Sequence, residues 1–377
     1  MDAALSQPLT ISRSLREVLQ FDRFIAVGAN SGGDQVRAWL LGQSKKVIAF
    51  ADLSPKLQGT RRAGLEVLSP VDAVMLMDRR TAFMIGTVKQ QEAAELLIGT
   101  LGVDPLRVFP FVNPMFAAHF RESVQNRIVP HQARIQSLLS DEESRAYFDR
   151  VTKFYRTLDS RYLTPQPKRI GQYGYDAPGA NPKPGAAIVD CGAFTGDTFA
   201  DFIGATQRDC KIFAFEAFPP NFEKLLDNIA RDNLQNIVEP RQLAVGREKG
   251  TIRISGDNSI ADGGARVGTS VISRDHVVPS DTLDDLFLRH SSTRIDYLKV
   301  DIEGADLDAL VGGREMLRTF RPIVAVAAYH KPEHLFEIVD VLRDTLAPCE
   351  LYAAHDPNWV FHIHYIAVPG ERARTHS

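Results

Sequence analysis

The chain has 377 residues, of which 44% are hydrophobic, and its formal net charge at pH 7 is −3. This length allows a sizeable core and favours two domains, whereas the near-neutral charge argues against broad attraction to nucleic acid or anionic membranes. No apolar run reaches the roughly 18 residues that a membrane-spanning helix needs. We therefore expect neither a nucleic-acid partner nor a membrane span.

The three cysteines, Cys191, Cys210 and Cys349, are scattered along the chain and embedded in apolar runs. The first 20 residues lack the apolar core of a cleavable leader. Scattered cysteines in apolar surroundings are typical of reduced, buried thiols. We expect a cytoplasmic protein without disulfides.

The first hundred residues alternate buried-strand patterns with helical segments. Residues 24–27 precede a turn that contains Gly28 and Gly32, and residues 47–51 end beside Asp52. Such alternation predicts a parallel sheet with a ligand crevice at the carboxyl ends of its strands. The pattern resembles small domains that hold nucleotide-sugars, which would make Gly28, Gly32 and Asp52 substrate-binding residues. The alternative is a Rossmann-like scaffold without a ligand.

Residues 113–185 are predicted to connect two domains, a Rossmann-like unit at 1–112 and a second domain at 186–377. The connector begins with helical patterns, in which Ser140 and Glu143 predict a capping box. It ends in a stretch, residues 164–185, with five prolines and four glycines. Within that stretch, Gln172 and Tyr173 either close over a substrate or belong to a solvated linker.

A second glycine turn follows residues 187–189, an apolar run that ends in Asp190. Gly192 and Gly196 bracket the turn, and a helix is expected to begin near Asp197. Glycines let a backbone approach a ligand closely, and a helix start presents unpaired N–H groups. The spacing Asp-x-Gly-x-x-x-Gly differs from the Gly-x-Gly-x-x-Gly of dinucleotide-binding proteins.

Two further strand patterns end in ionisable residues. Residues 211–215 lead into Glu216, and a carboxylate at this strand tip can accept hydrogen bonds from ribose hydroxyls. Residues 297–304 predict another strand, on which Lys299 and Asp301 lie two apart and share a face. A structural ion pair between these two residues is one interpretation, and a catalytic pair is the other.

Four motifs, VDCGAFTGDT, FEAFPPNFEKL, LKVDIEGAD and AVAAYHKPEHLFEI, occur in this order in the second half of the chain. Together they resemble the FkbM family of S-adenosylmethionine-dependent methyltransferases. The resemblance implies a class I methyltransferase fold, an α/β architecture with a seven-stranded sheet and a terminal antiparallel hairpin. The strands are then expected near Ile188, Ile212, Ile237, Ile252, Tyr297, Ile323 and Trp359.

The resemblance also implies S-adenosylmethionine as the cofactor and suggests which residues hold it. Asp190, Gly192 and Gly196 would hold its methionine part, Glu216 its ribose, and Leu243 would lie near its adenine. The predicted cofactor site is completed by Ala193, Asp197, Thr198, Ala217 and Asp301.

Asp301, Glu303, Lys299 and His330 are the candidate catalytic residues. Asp301 is expected to face the cofactor or the acceptor, and Glu303 to orient the turn before Gly304. A histidine at a strand tip with a pKa near working pH suits a general base, so His330 is the candidate for that role. No metal motif is present, and we predict no metal, although Asp301, Glu303 and His330 could hold a divalent ion.

Residues 351–354 and 359–365 flank a turn sequence and predict an antiparallel hairpin with one covered face. His362 and His364 share a strand face, but no carboxylate or cysteine stands at ligand spacing beside them. A solvent-facing hairpin is therefore preferred to a metal site. Residues 256–279 show no periodicity and are expected to form a long insertion, with a lid as one function.

The leading hypothesis is an O-methyltransferase acting on a hydroxyl group of a sugar or glycosylated metabolite. One alternative is a nicotinamide-dependent sugar oxidoreductase that uses the turn at Gly28, although that turn lacks a Gly-x-Gly. The other is a non-catalytic protein that binds glycans or nucleotide-sugars. The assembly state stays open.

Overall fold

The computed structural model describes residues 15–87, 90–111, 124–157, 173–256, 266–267, 274–289, 293–355 and 363–373. The chain divides into two compact units. Unit 1 comprises Met1–Asn126, Arg150–Gln166 and Pro357–Phe361, and unit 2 comprises Arg127–Asp149, Pro167–Asp356 and His362–Ser377. Across the described ranges, no helix is long and apolar enough to cross a membrane.

Unit 1 is built on a six-stranded sheet in the order β3-β4-β2-β1-β5-β6, in which only β3 and β4 pair antiparallel. The alternation of strands and helices agrees with the predicted α/β class. The strands are β1 (Arg23–Val27), β2 (Lys46–Ala51), β3 (Arg61–Arg62), β4 (Leu65–Leu68), β5 (Thr81–Ile85) and β6 (Val108–Pro110). The helices are α1 (Leu15–Val18), α2 (Ser31–Gly42), α3 (Pro70–Met75) and α4 (Gln90–Ala94), with single turns at Glu95–Thr100 and Pro105–Arg107.

Unit 2 contains a seven-stranded sheet in the order β16-β17-β15-β14-β7-β8-β9. Its strands are β7 (Ala186–Cys191), β8 (Cys210–Phe215), β9 (Val238–Arg241), β14 (Tyr297–Val300), β15 (Ile323–Ala327), β16 (Cys349–His355) and β17 (Ile363–Pro369). The last two strands form the antiparallel hairpin, and the other five are mutually parallel. The predicted seven-stranded sheet with a terminal hairpin is therefore confirmed.

Helices accompany this sheet along the chain. After a turn at Val124–Ile128 they are α5 (Val129–Leu138), α6 (Glu142–Thr157), α7 (Phe199–Ala205), α8 (Pro219–Arg231), a turn at Asp285–Arg289, α9 (Asp306–Gly312), α10 (Arg314–Phe320), α11 (His334–Leu346) and α12 (Gly370–Ala373). Strand β7 is buried along its whole length, as the continuous apolar run of a two-sided parallel sheet requires.

A second, four-stranded sheet corrects two expectations. It has the order β10-β13-β11-β12, with β10 (Ala244–Val245), β11 (Gly250–Gly256), β12 (Arg266–Val267) and β13 (Arg274–Asp281). Ile252 lies in β11, so its strand belongs to this small sheet, and β16 completes the larger one. Residues 274–279 are also not irregular, because β13 pairs antiparallel with β11 from Arg274 to Ser280.

The segment between α5 and α6, together with the first turn of α6, covers the edge strand β16. The Ser140 N–H donates to the Leu351 carbonyl at 2.8 Å, and the Ser140 hydroxyl accepts the Leu351 N–H at 2.8 Å. The Ser144 hydroxyl accepts the Ala353 N–H at 3.0 Å. The unpaired N–H and C=O groups of an exposed edge strand can pair with another chain, and these hydrogen bonds satisfy several of them. The capping-box prediction was wrong, since Asp141 accepts the Ser144 N–H at 2.7 Å instead.

Candidate active site

The predicted chemical groups of unit 2 meet at one edge of its large sheet. Strands β7, β8, β14 and β15 run parallel, so their carboxyl ends, which lead to Asp190, Glu216, Asp301 and His330, share that edge. Strand order reverses between β7 and β14, because the chain extends outward from β7 on one side and from β14 on the other. Ligands of open α/β sheets bind at such a reversal.

The glycines of the turn after β7 are required by the fold of the turn itself. Gly192 has φ +79°, and a Cβ there would lie 1.8 Å from the Asp301 carbonyl oxygen. Gly196 has φ +87°, and a Cβ there would lie 2.8 Å from the Phe199 ring. Gly192 thus lets the backbone after β7 touch the backbone after β14. The sequence analysis predicted a close approach of this backbone to a ligand, but not its close approach to the backbone of Asp301.

Lys299 and Asp190 form a buried ion pair beneath this turn. They are register partners on β14 and β7, with Lys299 Nζ 2.9 Å from Asp190 Oδ1 and side-chain exposures of 3% and 0%. The Lys299 ammonium also donates to the Gly192 carbonyl at 2.5 Å. Burial alone would lower the pKa of Lys299, but the negative charges of Asp190 and its neighbours outweigh burial and raise it.

Lys299 is therefore charged and enclosed. Its contacts fit a structural role in fixing the turn after β7 and not a reaction with a substrate. Its ion-pair partner is Asp190, and not Asp301 as the alternative interpretation expected. Asp190 is engaged from its other side as well, since the Thr198 hydroxyl donates to its Oδ2 at 2.7 Å. Ala193 is buried in the turn, and Asp197 lies exposed on it.

Glu216 joins the ends of β7 and β8. Its two carboxylate oxygens accept the Phe194 N–H at 2.9 Å and the Phe218 N–H at 2.8 Å. Burial raises its pKa to about 7, although these two hydrogen bonds act in the opposite direction. Ala217 is half-buried beside it, and Leu243 is half-buried two residues beyond the end of β9.

Asp301 follows β14 and is held by two tyrosines. The Tyr329 hydroxyl donates to Asp301 Oδ1 at 3.1 Å, and the Tyr173 hydroxyl donates to Oδ2. Tyr173 is 3% exposed, and its carbonyl accepts the Tyr297 hydroxyl at 2.6 Å. Tyr173 thus supports Asp301 from the interior and is not free to close over a substrate. Gln172 lies outside the described residues.

His330 lies among three carboxylates. Its Nδ1 is 2.9 Å from Asp306 Oδ2, and its Nε2 is 3.5 Å from Asp301 Oδ1 and 3.6 Å from Glu303 Oε2. Burial alone would lower its pKa, but Asp306, followed by Asp301 and Glu303, raises the pKa to about 9. The premise that this pKa lies near neutrality was wrong. A ring that is charged at pH 7 cannot accept a proton, so the general-base assignment loses its support.

Asp306 is the main residue that the sequence reasoning missed. Its carboxylate accepts the Ile302 N–H at 2.9 Å and the Gly304 N–H at 3.1 Å, and it also contacts His330. Asp306, and not Glu303, therefore orients the turn before Gly304. An acid at the first position of a helix, two residues after a glycine, is the signal that could have identified it.

The terminal hairpin contributes an aromatic wall. His364 is fully buried, and its ring centroid lies 4.6 Å from that of Tyr173 and 5.9 Å from that of Tyr329. Strand β17 is buried along its whole length, so the expectation of one covered face and a solvent-facing His364 was wrong. The alternating pattern failed because its polar position His364 packs on aromatic rings. His362 lies outside the described residues.

The glycine turn of unit 1 is explained by packing. A Cβ on Gly32 would lie 1.9 Å from the Gly86 carbonyl oxygen, so helix α2 touches the chain after β5 there. Gly28 has φ +106°, and the next N–H, of Ala29, donates to Asp52 Oδ2 at 2.6 Å. The other Asp52 oxygen accepts the Ser54 N–H at 2.8 Å. All three predicted substrate-binding residues therefore have structural roles that need no ligand.

Residues 190–350 match the family model described as the methyltransferase FkbM domain. The crystal structure of the methyltransferase FkbM from Methylobacillus flagellatus KT is similar in fold, with a TM-score of 0.65, 18% identity, and coverage of 97% of this chain and 96% of that one. A putative rRNA methylase from Clostridium thermocellum covers 50% of this chain and 89% of its own, at 12% identity and a TM-score of 0.32. The sequence matches no curated protein at a significant level.

Proposed function

We propose that the protein transfers a methyl group from S-adenosylmethionine to a hydroxyl group of a sugar or glycosylated metabolite, because residues 190–350 match the family model of the methyltransferase FkbM domain. The reaction class rests on unit 2. The acceptor class rests on the weaker resemblance of unit 1 to nucleotide-sugar-binding domains. The packing of unit 1 argues against the oxidoreductase alternative. The Gly86 backbone fills the space beside Gly32, in the turn that would have bound a nicotinamide cofactor.

The residues around the turn after β7 suit the proposed cofactor. An ionised carboxylate has about four acceptor positions, and the two backbone N–H bonds and a contact from Asn221 leave Glu216 capacity for a ribose hydroxyl. S-adenosylmethionine supplies an electrophilic methyl group on a cationic sulfonium. Asp190 is neutralised by Lys299, whereas Asp301, which follows β14, keeps 20% of its side chain exposed.

Asp301 carries the proposal. Its carboxylate is fixed by the Tyr329 and Tyr173 hydroxyls, so it cannot rotate freely. A carboxylate held in one orientation can align an acceptor hydroxyl and take its proton as the oxygen is methylated. Alignment of two reactants supplies up to about 7–11 kcal/mol of a barrier, and a placed base about 10²–10⁴-fold in rate.

The test has a binding step and a turnover step. Calorimetry should show one S-adenosylmethionine per chain and no binding of NADH. Methyl transfer from labelled donor to a panel of hydroxylated sugars and nucleotide-sugars should then fall about 10²–10⁴-fold in Asp301→Asn, with donor affinity retained. Binding of NADH alone would favour the oxidoreductase, and transfer that is unchanged in Asp301→Asn would remove the base role.

A further inference from the structure

One nitrogen of His330 is buried without a hydrogen bond. The side chain is 9% exposed, and its Nδ1 is bonded to Asp306. Its Nε2 is shielded from solvent and has no hydrogen-bond partner. The nearest acceptors are Asp301 Oδ1 at 3.5 Å and Glu303 Oε2 at 3.6 Å, which is too long for a hydrogen bond. Leaving a buried polar atom unpaired is unfavourable, so an interior position of this kind calls for an explanation.

The distances around Nε2 fit ligands that share a cation. In a site with bonds of about 2.1 Å, adjacent octahedral ligands lie about 3.0 Å apart and tetrahedral ligands about 3.4 Å apart. The two carboxylate oxygens lie slightly beyond the tetrahedral value from Nε2. Asp301, Asp306 and His330 also place one ligand atom each within 4.8 Å of one another. A small inward shift of Asp301 and Glu303 would bring both oxygens to the tetrahedral spacing from Nε2.

The surroundings have the supporting shell of a metal site. A histidine ligand commonly donates its second ring N–H to a carboxylate, which fixes the tautomer and aims the free nitrogen at the metal. Asp306 holds Nδ1 of His330 in this way, and it is itself fixed by two backbone N–H groups. The Tyr329 hydroxyl fixes Asp301 similarly. Asp301 and Glu303 keep 20% and 30% of their side chains exposed, so an ion can enter from solvent.

We propose that Asp301, Glu303 and His330 Nε2 bind a divalent first-row cation, with Asp306 as the positioning residue of the histidine. One imidazole and two carboxylates favour Mn²⁺ or Zn²⁺ over Mg²⁺ and Ca²⁺, which prefer oxygen ligands. A histidine binds a cation through an unprotonated ring nitrogen, so cation binding releases any proton that Nε2 carries. The site revises the expectation of no metal. It shares Asp301 with the proposed methyl transfer, but its geometry and its binding test do not depend on that activity.

The experiment titrates chelator-treated full-length protein with Mn²⁺ and follows free Mn²⁺ by electron paramagnetic resonance, with Zn²⁺ measured by calorimetry. We expect one Mn²⁺ per chain. His330→Gln and Asp301→Asn should each weaken binding at least about tenfold, and Asp306→Asn about 10–100-fold. Asp308→Asn is the matched control, because Asp308 lies on the same helix but is exposed and paired with Arg247. It should bind as the wild type does.

A second readout covers variants that fail to fold. Pulsed resonance of Mn²⁺ bound to the wild type should show coupling to a histidine nitrogen. Absence of one-to-one binding, absence of nitrogen coupling, or binding unaffected in folded His330→Gln would each overturn the proposal. Donor binding is measured separately without added metal, so failure of the metal site is distinguishable from failure of the proposed enzymatic function.

Discussion

Both units place a glycine turn between their first strand and a helix, and in both an acid after the second strand accepts an N–H from that turn. In unit 1 the acid is Asp52 and the donor is Ala29, and in unit 2 they are Glu216 and Phe194. The units differ in what they bury. Among the described residues of unit 1 the buried polar side chains are uncharged, namely Thr81, Gln90 and Thr152. Unit 2 buries the ionisable side chains Asp190, Glu216, Asp281, Lys299, Asp306, His334 and His364.

This difference in buried side chains distinguishes a structural role for the turn of unit 1 from a chemical role for the sheet edge of unit 2. Burying a charged side chain is unfavourable unless it is paired. An apolar side chain can be buried in the same place without a partner. Unit 1 uses that alternative, since its central strands β1 and β5 bury no charged side chain, whereas β7 and β14 carry the buried Asp190 and Lys299. Clusters of buried, mutually perturbed ionisable groups concentrate at functional sites. The shared turn is therefore a feature of the fold, and the charged edge is specific to unit 2.

The largest expected effect concerns the buried ion pair of unit 2. Lys299→Met leaves Asp190 charged and unpaired, which should lower the free energy of unfolding by about 3–5 kcal/mol. Urea denaturation measures the change. Arg247→Met is the control, because it breaks an ion pair with Asp308 that is exposed on both sides and should leave stability within error. A Lys299→Met protein as stable as the control would show that the pair does not hold the edge together.

The glycines should behave alike in the two units if their role is packing. Gly192→Ala and Gly32→Ala each place a methyl group within 2 Å of a carbonyl oxygen and should lower stability by about 2–3 kcal/mol. Gly42→Ala is the matched control on the helix that carries Gly32, since no atom lies within 4 Å of its Cβ position. It should be neutral or slightly stabilising. A Gly32→Ala protein with wild-type stability would reopen a ligand role for that turn.

The sequence was sufficient for β1 and β2 of unit 1 and for the strands of the seven-stranded sheet, because continuous apolar runs followed by an acid or glycine mark parallel strands, but it did not predict the four-stranded sheet. It identified Asp190, Glu216, Asp301 and His330, which the sheet brings to one edge. It could not supply the pairing between strands. That Lys299 faces Asp190 depends on the register of β14 against β7, and this register is a long-range property.

Contacts between residues distant in sequence also determine the pKa of His330, which the sequence analysis misjudged. A histidine at a strand end suggests a pKa near neutrality, but three acids from the turn after β14 surround His330 and raise its pKa to about 9. Asp306 and Tyr329 were overlooked because their roles consist of contacts to other side chains. His364 was misplaced because a polar position in an alternating strand normally faces solvent.

Donor binding should distinguish the two acids. Glu216→Gln removes a charged acceptor from the proposed ribose position and should weaken S-adenosylmethionine binding about 10–100-fold, the effect of one hydrogen bond to a charged group. Asp52→Asn makes the equivalent change in unit 1 and should leave the affinity unchanged. Calorimetry on both variants measures the difference. Equal losses in the two would mean that the turn of unit 1 takes part in donor binding.

The smallest expected effect is a pH dependence of stability that only the charged edge can produce. The pKa of His330 is raised to about 9 in the folded protein, against about 6.5 in the unfolded chain. Its contribution is therefore complete below pH 6.5 and is lost as the pH rises through 9. Between pH 7 and 8, wild-type stability should fall by about 1 kcal/mol more than that of His330→Gln, since the folded protein holds nearly one extra proton there. Urea denaturation with chelator present, which keeps metal ions away, measures this difference. Parallel pH profiles of the two proteins would mean that Asp306, Asp301 and Glu303 do not hold a proton on the ring, and the electrostatic contrast between the units would then rest on the Asp190–Lys299 pair.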